Sequence, residues 1–383
     1  MKPRRFTGFA FLLAAAFFLR AAEPPLPDGL YAEFTTPRGA FICELFFKKA
    51  PLMCANFTGL AEGTLAPKNG KPFYTGLTFY RVVPGFVIQS GNPGLKDTDD
   101  EKKPIPHHFP DEFVPGLHHH AAGILSMANA GPDTNSCEFF LTLAPTNRLN
   151  YLHSVFGRTV RGLEILAQIK QDDPVAIKIV RVGAAARAFR NNPATFAALS
   201  AQAKKYSAVP TATKEPTTTS HFHDPDKLLP TEPPRAKNFN YKLANFERAT
   251  GVRIVARLYA AEPPAAVDNA PGKFMRALAA QLGTARDGIL VAHFAADDWR
   301  IWIGDTLTGQ FVGRPTTAAD LGEDGALHDV KEKLLDTAQA EGDAAYEQQK
   351  RSSPPDKQPP PAQRLKLQTD AVLDALIFKF EPR

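Results

Sequence analysis

The sequence predicts a mainly β domain over residues 29–183 and a smaller α/β domain nearer the C-terminus. Short segments of alternating apolar and polar residues recur along the first region, turns rich in Gly and Pro separate them, and two stretches have helical spacing. Many short strands with two helices indicate a closed barrel or a sandwich capped by helices. At 383 residues the chain is longer than one ordinary domain, which favours two folded units and a linker.

The first elements follow from turn and helix signals. Residues 29–50 read as a hairpin of half-buried strands. A helix then begins at Pro51, at the first helical position that proline favours, and ends at Gly63. Two strands flank the Pro84-Gly85 turn. Further strands are expected at 123–129, 139–143, 155–160 and 175–182, with a short helix at 162–171.

The N-terminus has the pattern of an export signal. Basic residues precede a short apolar segment from Phe6 to Leu19, and Ala21-Ala22 supplies small residues for cleavage. We therefore interpret residues 1–22 as a secretory signal peptide, which makes the mature protein periplasmic or secreted. Arg20 is unusual near a cleavage position, so retention as a membrane anchor stays open. No later segment approaches spanning length, so no stable membrane span is expected after cleavage.

Composition argues against several classes of site. The net charge of +5 is spread along the chain without a dense basic block, so no nucleic-acid surface is expected. Cys43, Cys54 and Cys137 lack zinc-binding spacing; a Cys43–Cys54 disulfide is conceivable, and buried free thiols are favoured. The histidines at 107–108 and 118–120 suggest a metal site, but adjacent side chains point in different directions, which favours a solvated loop. We predict no metal.

Several motifs in residues 29–183 occur together in one order and spacing. They are Ala55-Asn56-Phe57 with Gly59 to Gly63, Phe79 to Phe86, Gly123 to Gly131, Glu138-Phe139-Phe140, and Leu149 with His153 to Gly157. On these motifs the segment resembles a cyclophilin-type peptidyl-prolyl cis-trans isomerase. The resemblance implies a closed antiparallel eight-stranded barrel with a helix at each end. It also implies that proline-containing segments of client proteins are the partners and that no cofactor is needed.

The resemblance gives Arg81 the central role. Amide resonance imposes a rotation barrier of about 18–20 kcal/mol on the peptide bond, and rotation leaves a lone pair on the proline nitrogen. A fixed donor aimed at that nitrogen binds the twisted amide better than the planar one, which is catalysis by differential binding. Arginine suits this role because it stays charged at any working pH.

The other implied site residues surround Arg81. Gln89 and Glu138 would orient it, the backbone of Asn129 would pair with the substrate, and His153 would border the pocket. The implied catalytic set is Arg81, Phe86, Gln89, Glu138, Phe140 and His153. The implied substrate-binding set is Val87, Ala128, Asn129, Ala130 and Leu149, in which Leu149 joins Phe86 and Phe140 in the proline pocket and Val87 lies at its edge.

Three departures from the family pattern bear on activity. Glu138 stands where the family usually has Gln, and its charge weakens the field that Arg81 offers to the amide nitrogen. Arg148 replaces the Trp that confers cyclosporin sensitivity on many members. The loop at 94–108 is charged and lacks the Gly-rich run of many members. We predict reduced but real turnover; the alternative is a low-turnover proline-peptide binding or scaffold protein with a C-terminal partner-binding module.

The C-terminal region is predicted in the order α-β-α-β-β-α. Fragments at 246–255, 287–291 and 299–304 resemble a TPM domain, and the sequence does not identify a partner for it. The whole chain is divided into a signal peptide at 1–22, a cyclophilin-like domain at 27–184, a helix and Pro/Thr-rich linker at 185–236, the TPM-like α/β domain at 237–345, and a Pro-rich tail with a terminal apolar segment at 346–383.

Overall fold

The computed structural model describes residues 24–65, 72–93, 107–203, 217–230, 235–316 and 325–382. The predicted signal peptide, most of the charged loop at 94–108 and part of the Pro/Thr-rich linker lie outside these residues. None of the helices in the described part of the chain is long and apolar enough to cross a membrane.

The N-terminal region is built on one antiparallel sheet of eight strands. They are β1 (Gly29–Thr36), β2 (Gly39–Leu45), β3 (Arg81–Val83), β4 (Val87–Ser90), β5 (Ile124–Met127), β6 (Phe139–Thr142), β7 (Val155–Arg161) and β8 (Ala176–Val182). Helices α1 (Pro51–Glu62) and α2 (Leu163–Leu166) lie between strands, and α3 (Gly183–Ala188) and α4 (Pro193–Ala203) follow β8. Inside the curl, Phe34, Phe57 and Phe139 form a fully buried aromatic core.

The sheet is curled but open, so the prediction of a closed barrel is wrong. Its strand order is β3-β4-β6-β5-β7-β2-β1-β8, which leaves β3 and β8 at the edges. In the described residues, one isolated bridge between Thr78 and Pro174 joins the segments that precede these two strands. Two backbone hydrogen bonds flank this pair, from Phe79 N to the oxygen of Asp173 and from Val175 N to the oxygen of Leu77, both at 3.0 Å, while β3 and β8 themselves do not pair.

The C-terminal region is mostly helical, more so than predicted. Its helices are α5 (Arg235–Thr250), α6 (Lys273–Gln281), α7 (Thr308–Val312), α8 (Ala326–Ser352) and α9 (Pro361–Phe380). The same region contains a four-stranded mixed sheet. Its strands are β9 (Phe222–His223), β10 (Arg253–Leu258), β11 (Gly288–His293) and β12 (Trp299–Ile303). Their order in the sheet is β12-β11-β10-β9. Helices α8 and α9 approach closely at Gly342, where a Cβ would lie 2.6 Å from the backbone of Gln368.

The two regions share contacts through Tyr151. This residue is buried in the C-terminal hydrophobic core and meets the Phe246 ring edge-on, with the ring centres 5.2 Å apart. Its hydroxyl donates to Glu381, which also lies 2.7 Å from His118 Nε2. The C-terminal region is therefore held against the loop that follows the short 3₁₀ turn at Asn147–Leu149.

Candidate active site

A row of directly paired residues crosses four neighbouring strands. Arg81 of β3 is opposite Gln89 of β4, Gln89 is opposite Phe140 of β6, and Phe140 is opposite Ser126 of β5. Residues directly opposite each other in an antiparallel sheet point to the same face. The strand register therefore places a guanidinium, an amide and an aromatic ring next to one another. The tight turn between β3 and β4 needs Gly85, which has a φ of +69°.

Gln89 connects Arg81 to Glu138. Arg81 Nη1 donates to Gln89 Oε1 at 3.1 Å, and Gln89 Nε2 donates to Glu138 Oε2 at 3.3 Å. Because the Gln89 amide donates on one side and accepts on the other, its orientation is set. The Asn92 amide donates to the second oxygen of Glu138. Glu138 therefore acts on Arg81 through an intervening amide, which sequence reasoning did not reveal.

Tyr80 is a further member of this hydrogen-bond network. Its hydroxyl accepts a hydrogen bond from Gln89 Nε2 and is buried. Burial and the nearby Glu138 carboxylate raise the Tyr80 pKa well above its ordinary value, so the hydroxyl is neutral. Tyr80 is a supporting residue that the resemblance did not single out.

An apolar patch lies beside the guanidinium. Val87, Ala128 and Phe140 are buried together, and Phe86 and Leu149 pack against them. The Arg81 guanidinium carbon lies 5.9 Å from the centre of the Phe86 ring. The structure thus brings together the residues expected to form the proline pocket. Such a patch can hold a proline ring, while Arg81 itself remains exposed.

Two histidines fix the Phe140 ring. The His119 ring stacks on Phe140 with centres 5.7 Å apart, and the His153 ring meets it edge-on at 5.4 Å. His119 Nε2 lies 2.9 Å from Ser126 Oγ, and Nδ1 lies 3.0 Å from Asn150 Oδ1. Burial lowers the His119 pKa to about 3, so this ring is neutral. His119 was missed as a supporting residue because nothing in the run of three histidines distinguishes it.

His153 lies beside the Phe140 ring. Its Nδ1 donates to the backbone oxygen of Met127 at 3.0 Å. Burial lowers its pKa to about 4, so it is a neutral imidazole at physiological pH. Three other histidines of the suggested metal site have partners: His107 Nε2 is 2.8 Å from Asn56 Oδ1, His118 is paired with Glu381, and His120 Nδ1 is 3.1 Å from the backbone oxygen of His118.

The segment from Ala128 to Ala130 forms the other side of the groove. Ala128 N donates to the backbone oxygen of Glu138 at 3.0 Å, and Ala130 N donates to Thr134 Oγ1 at 2.8 Å. The Asn129 amide donates to the backbone oxygen of Leu152 at 2.9 Å. These bonds hold the backbone of this segment beside the apolar patch, where a substrate chain can pair.

Arg148 lies beside the pocket residue Phe86. Its guanidinium carbon lies 4.4 Å from the centre of the Phe86 ring, a cation–π distance. The ring of Phe86 therefore has two arginines near it, Arg81 and Arg148. A bulky apolar ligand that depends on an aromatic residue at position 148 meets a cation here instead.

Comparison with known proteins agrees with this geometry. The family model described as cyclophilin type peptidyl-prolyl cis-trans isomerase/CLD matches residues 31–184. Peptidyl-prolyl cis-trans isomerase-like 1 of Homo sapiens is 38% identical over 174 residues, which cover 42% of this chain and 96% of that protein. Peptidyl-prolyl cis-trans isomerase ppi1 of Schizosaccharomyces pombe is 44% identical over 139 residues, covering 35% and 80%. The chain belongs to the cyclophilin-type family and is, by class, a peptidyl-prolyl cis-trans isomerase.

Other similar proteins cover the same region. Peptidyl-prolyl cis-trans isomerase-like 1 of Aspergillus fumigatus is 38% identical over 160 residues, which cover 39% of this chain and 91% of that protein. These three relatives come from eukaryotes. The similarity to these relatives accounts for the fold of the N-terminal region. The C-terminal sheet and helices are interpreted from the contacts that they themselves make. The TPM resemblance stays a prediction.

Proposed function

We propose that this isomerase rotates X-Pro bonds in exported proteins and so assists their folding, with Arg81 donating a hydrogen bond to the twisted amide nitrogen. The observation that carries the proposal is the row of Arg81, Gln89 and Phe140 across β3, β4 and β6. It places an oriented guanidinium beside an apolar patch that suits a proline ring.

The chemistry requires only binding and orientation by this chain. The Phe140 patch holds the proline ring, and the backbone edge near Asn129 holds the chain before it, so the peptide bond lies within reach of Arg81. As the bond twists, the nitrogen gains a lone pair and becomes an acceptor for Nη1. A donor held in place by Gln89 needs little reorganisation when that lone pair forms, so it lowers the barrier more than mobile water does.

Export is the second part of the proposal. It is supported by the basic, apolar and small-residue order of residues 1–22. We expect the mature protein in the periplasm or outside the cell, with membrane anchoring as the outcome of failed cleavage. N-terminal sequencing of the protein recovered from fractionated cells tests this. A new N-terminus just after Ala22 supports export, and an intact Met1 in the soluble cytoplasmic fraction contradicts it.

One observation favours a second candidate, a proline-peptide binding protein with little turnover. The carboxylate of Glu138 stands in the network behind Arg81 and partly offsets the guanidinium field. In that case the apolar patch and the Asn129 edge would still bind peptides, and the C-terminal region would serve as a partner-binding module.

A protease-coupled assay on a short X-Pro peptide separates these candidates. The purified protein is compared with Arg81→Ala and with Arg81→Lys, and fluorescence anisotropy measures binding of the same peptide. We expect turnover in the original protein and a loss of about 10²–10³-fold in Arg81→Ala with binding retained. Retained binding without turnover in the unmodified protein would favour the binding candidate, and equal turnover in Arg81→Ala would refute the role of Arg81.

A further inference from the structure

A cavity of about 310 Å³ lies between the pocket rim and helix α5. On the rim side it is lined by Asn129 and His153, which also border the proline groove. On the α5 side it is lined by residues that include Lys237, Tyr241 and Asn245. Its size is at the lower end of ligand pockets. The cavity therefore continues the groove onto a helix that lies outside the family match at residues 31–184.

Helix α5 is fixed to the loop that carries Leu149 and His153. Asn245 Nδ2 donates to the backbone oxygen of Tyr151 at 2.7 Å, and Lys242 Nζ lies 3.5 Å from the backbone oxygen of Arg148. Lys242 is buried and paired with Asp374 of α9. Because these bonds hold α5 in place, its wall of the cavity is preorganised and a ligand need not order it.

The lining has the chemistry of an anion-binding site. Lys237 is half-buried, and its Nζ lies 5.9 Å from the centre of the Tyr241 ring. Among the described residues that line the cavity, Lys237 carries the only full charge, since burial lowers the His153 pKa to about 4. Asn245 is 1% exposed, so it forms part of the cavity wall and offers no accessible acceptor to a ligand.

We propose that α5 extends the proline groove with a subsite for an acidic side chain of the client polypeptide, in the segment flanking the proline. The client carboxylate pairs with Lys237. This inference rests on the proposed function, because the occupant is the substrate chain that passes Asn129 and His153 beside the proline pocket. A peptide is the favoured occupant because both of those residues also line the groove.

The test uses peptides that differ at one position only. Glu, Gln or Lys is placed in turn at each of about four positions on either side of the proline, a reach of about 13 Å of extended chain. Exchange spectroscopy gives kcat/KM for each peptide, and fluorescence anisotropy gives its Kd. The proteins compared are the unmodified chain, Lys237→Glu, Lys237→Arg and, as a matched control, Lys49→Glu, which changes an exposed lysine outside the cavity.

At one position or two adjacent positions, we expect Glu to be preferred over Gln by about three- to fivefold and Lys to be disfavoured. The order should reverse in Lys237→Glu and persist in Lys237→Arg and Lys49→Glu. The preference should weaken between about 0.05 and 0.5 M salt. The same Glu-to-Lys ratio in the unmodified chain and Lys237→Glu at every position, in both kcat/KM and Kd, would overturn the inference.

Failure of this inference and failure of the proposed function give different results. Turnover that depends on Arg81 but shows no charge preference would overturn the acidic subsite and leave the isomerase mechanism intact. Absence of turnover with every peptide would overturn the mechanism. The anisotropy measurements then decide the subsite alone: a charge preference that reverses in Lys237→Glu supports it, and no preference overturns it.

Discussion

Replacing Glu138 by glutamine tests how the network behind Arg81 sets turnover. The substitution keeps the side-chain length, and an amide oxygen at this position can still accept from Gln89 Nε2, as the carboxylate does at 3.3 Å. The hydrogen bond from Arg81 to Gln89 is unaffected. What disappears is one negative charge, together with the acceptor for the hydrogen bond that the Asn92 amide donates to the second carboxylate oxygen. We therefore expect Glu138→Gln to raise turnover, because the guanidinium field at the amide nitrogen is no longer offset.

The geometry limits the size of this effect. Arg81 Nη1 is 3.1 Å from Gln89 Oε1, the amide itself spans about 2 Å, and the carboxylate is 3.3 Å beyond it. The two charges are therefore within about 8–9 Å. Because Arg81 is exposed, an effective dielectric constant of about 40–80 applies, which gives an interaction of about 0.5–1 kcal/mol. Because this attraction is present in the ground state as well as in the transition state, its full value is an upper limit, and removing it raises kcat by at most about two- to fivefold.

The assay is a protease-coupled measurement of kcat and KM on one X-Pro peptide, at low and at high salt. Glu44→Gln is the matched control, because it removes a carboxylate paired with Arg158, away from the Arg81 network. We expect the control to leave kcat unchanged. Unchanged or lower turnover in Glu138→Gln, with the fold intact by circular dichroism, would refute the view that Glu138 offsets the guanidinium field.

Three further predictions address the pocket and its attachments. With Arg148 lying over Phe86, we expect cyclosporin to bind with a calorimetric Kd above about 1 µM; submicromolar binding would contradict this. Tyr151→Phe removes the hydroxyl that donates to Glu381, so urea unfolding should show a loss of about 1.5–3 kcal/mol, and no loss would contradict the tie between the two regions. Since burial lowers the pKa of His153 to about 4, kcat/KM should be flat from about pH 5 to about pH 8 and fall only toward pH 4. The stability that neutral His153 contributes should likewise be complete above about pH 6.5 and decline as pH falls. An inflection of kcat/KM near pH 6.5 would argue against the neutral ring.

Local sequence signals predicted the elements well where a hydrophobic pattern was bounded by turn residues. Strand β12 spans Trp299–Ile303 as predicted, and α1 begins at Pro51 and stops before Gly63 as expected. The apolar spacing from Gln368 to Phe380 is compatible with either a helix or a strand. This segment is part of α9, because that helix buries one side against α8 and the C-terminal core. Tertiary packing decided what local spacing left open.

Long-range pairing accounts for most of what the sequence could not predict. The motifs bring Arg81, Gln89 and Phe140 to the site, but only the register shows that Gln89 lies between Arg81 and Glu138. The bridge between Thr78 and Pro174 also joins distant segments, which local spacing does not predict. The Pro/Thr-rich linker likewise contains no information about where α5 packs.

The central claim is that Arg81 donates to the twisted amide nitrogen. The rate of cis-trans exchange of a peptide bound to the enzyme tests it most directly. Nuclear magnetic resonance line shapes of an X-Pro peptide, with increasing amounts of protein, give the on-enzyme rate of cis-trans exchange separately from Kd. For Arg81→Ala, we expect Kd to stay within about threefold while the on-enzyme rate falls by about 10²–10³-fold. An on-enzyme rate equal to that of the unmodified protein, at an unchanged Kd, would contradict the assignment of Arg81 as the donor to the twisted amide nitrogen.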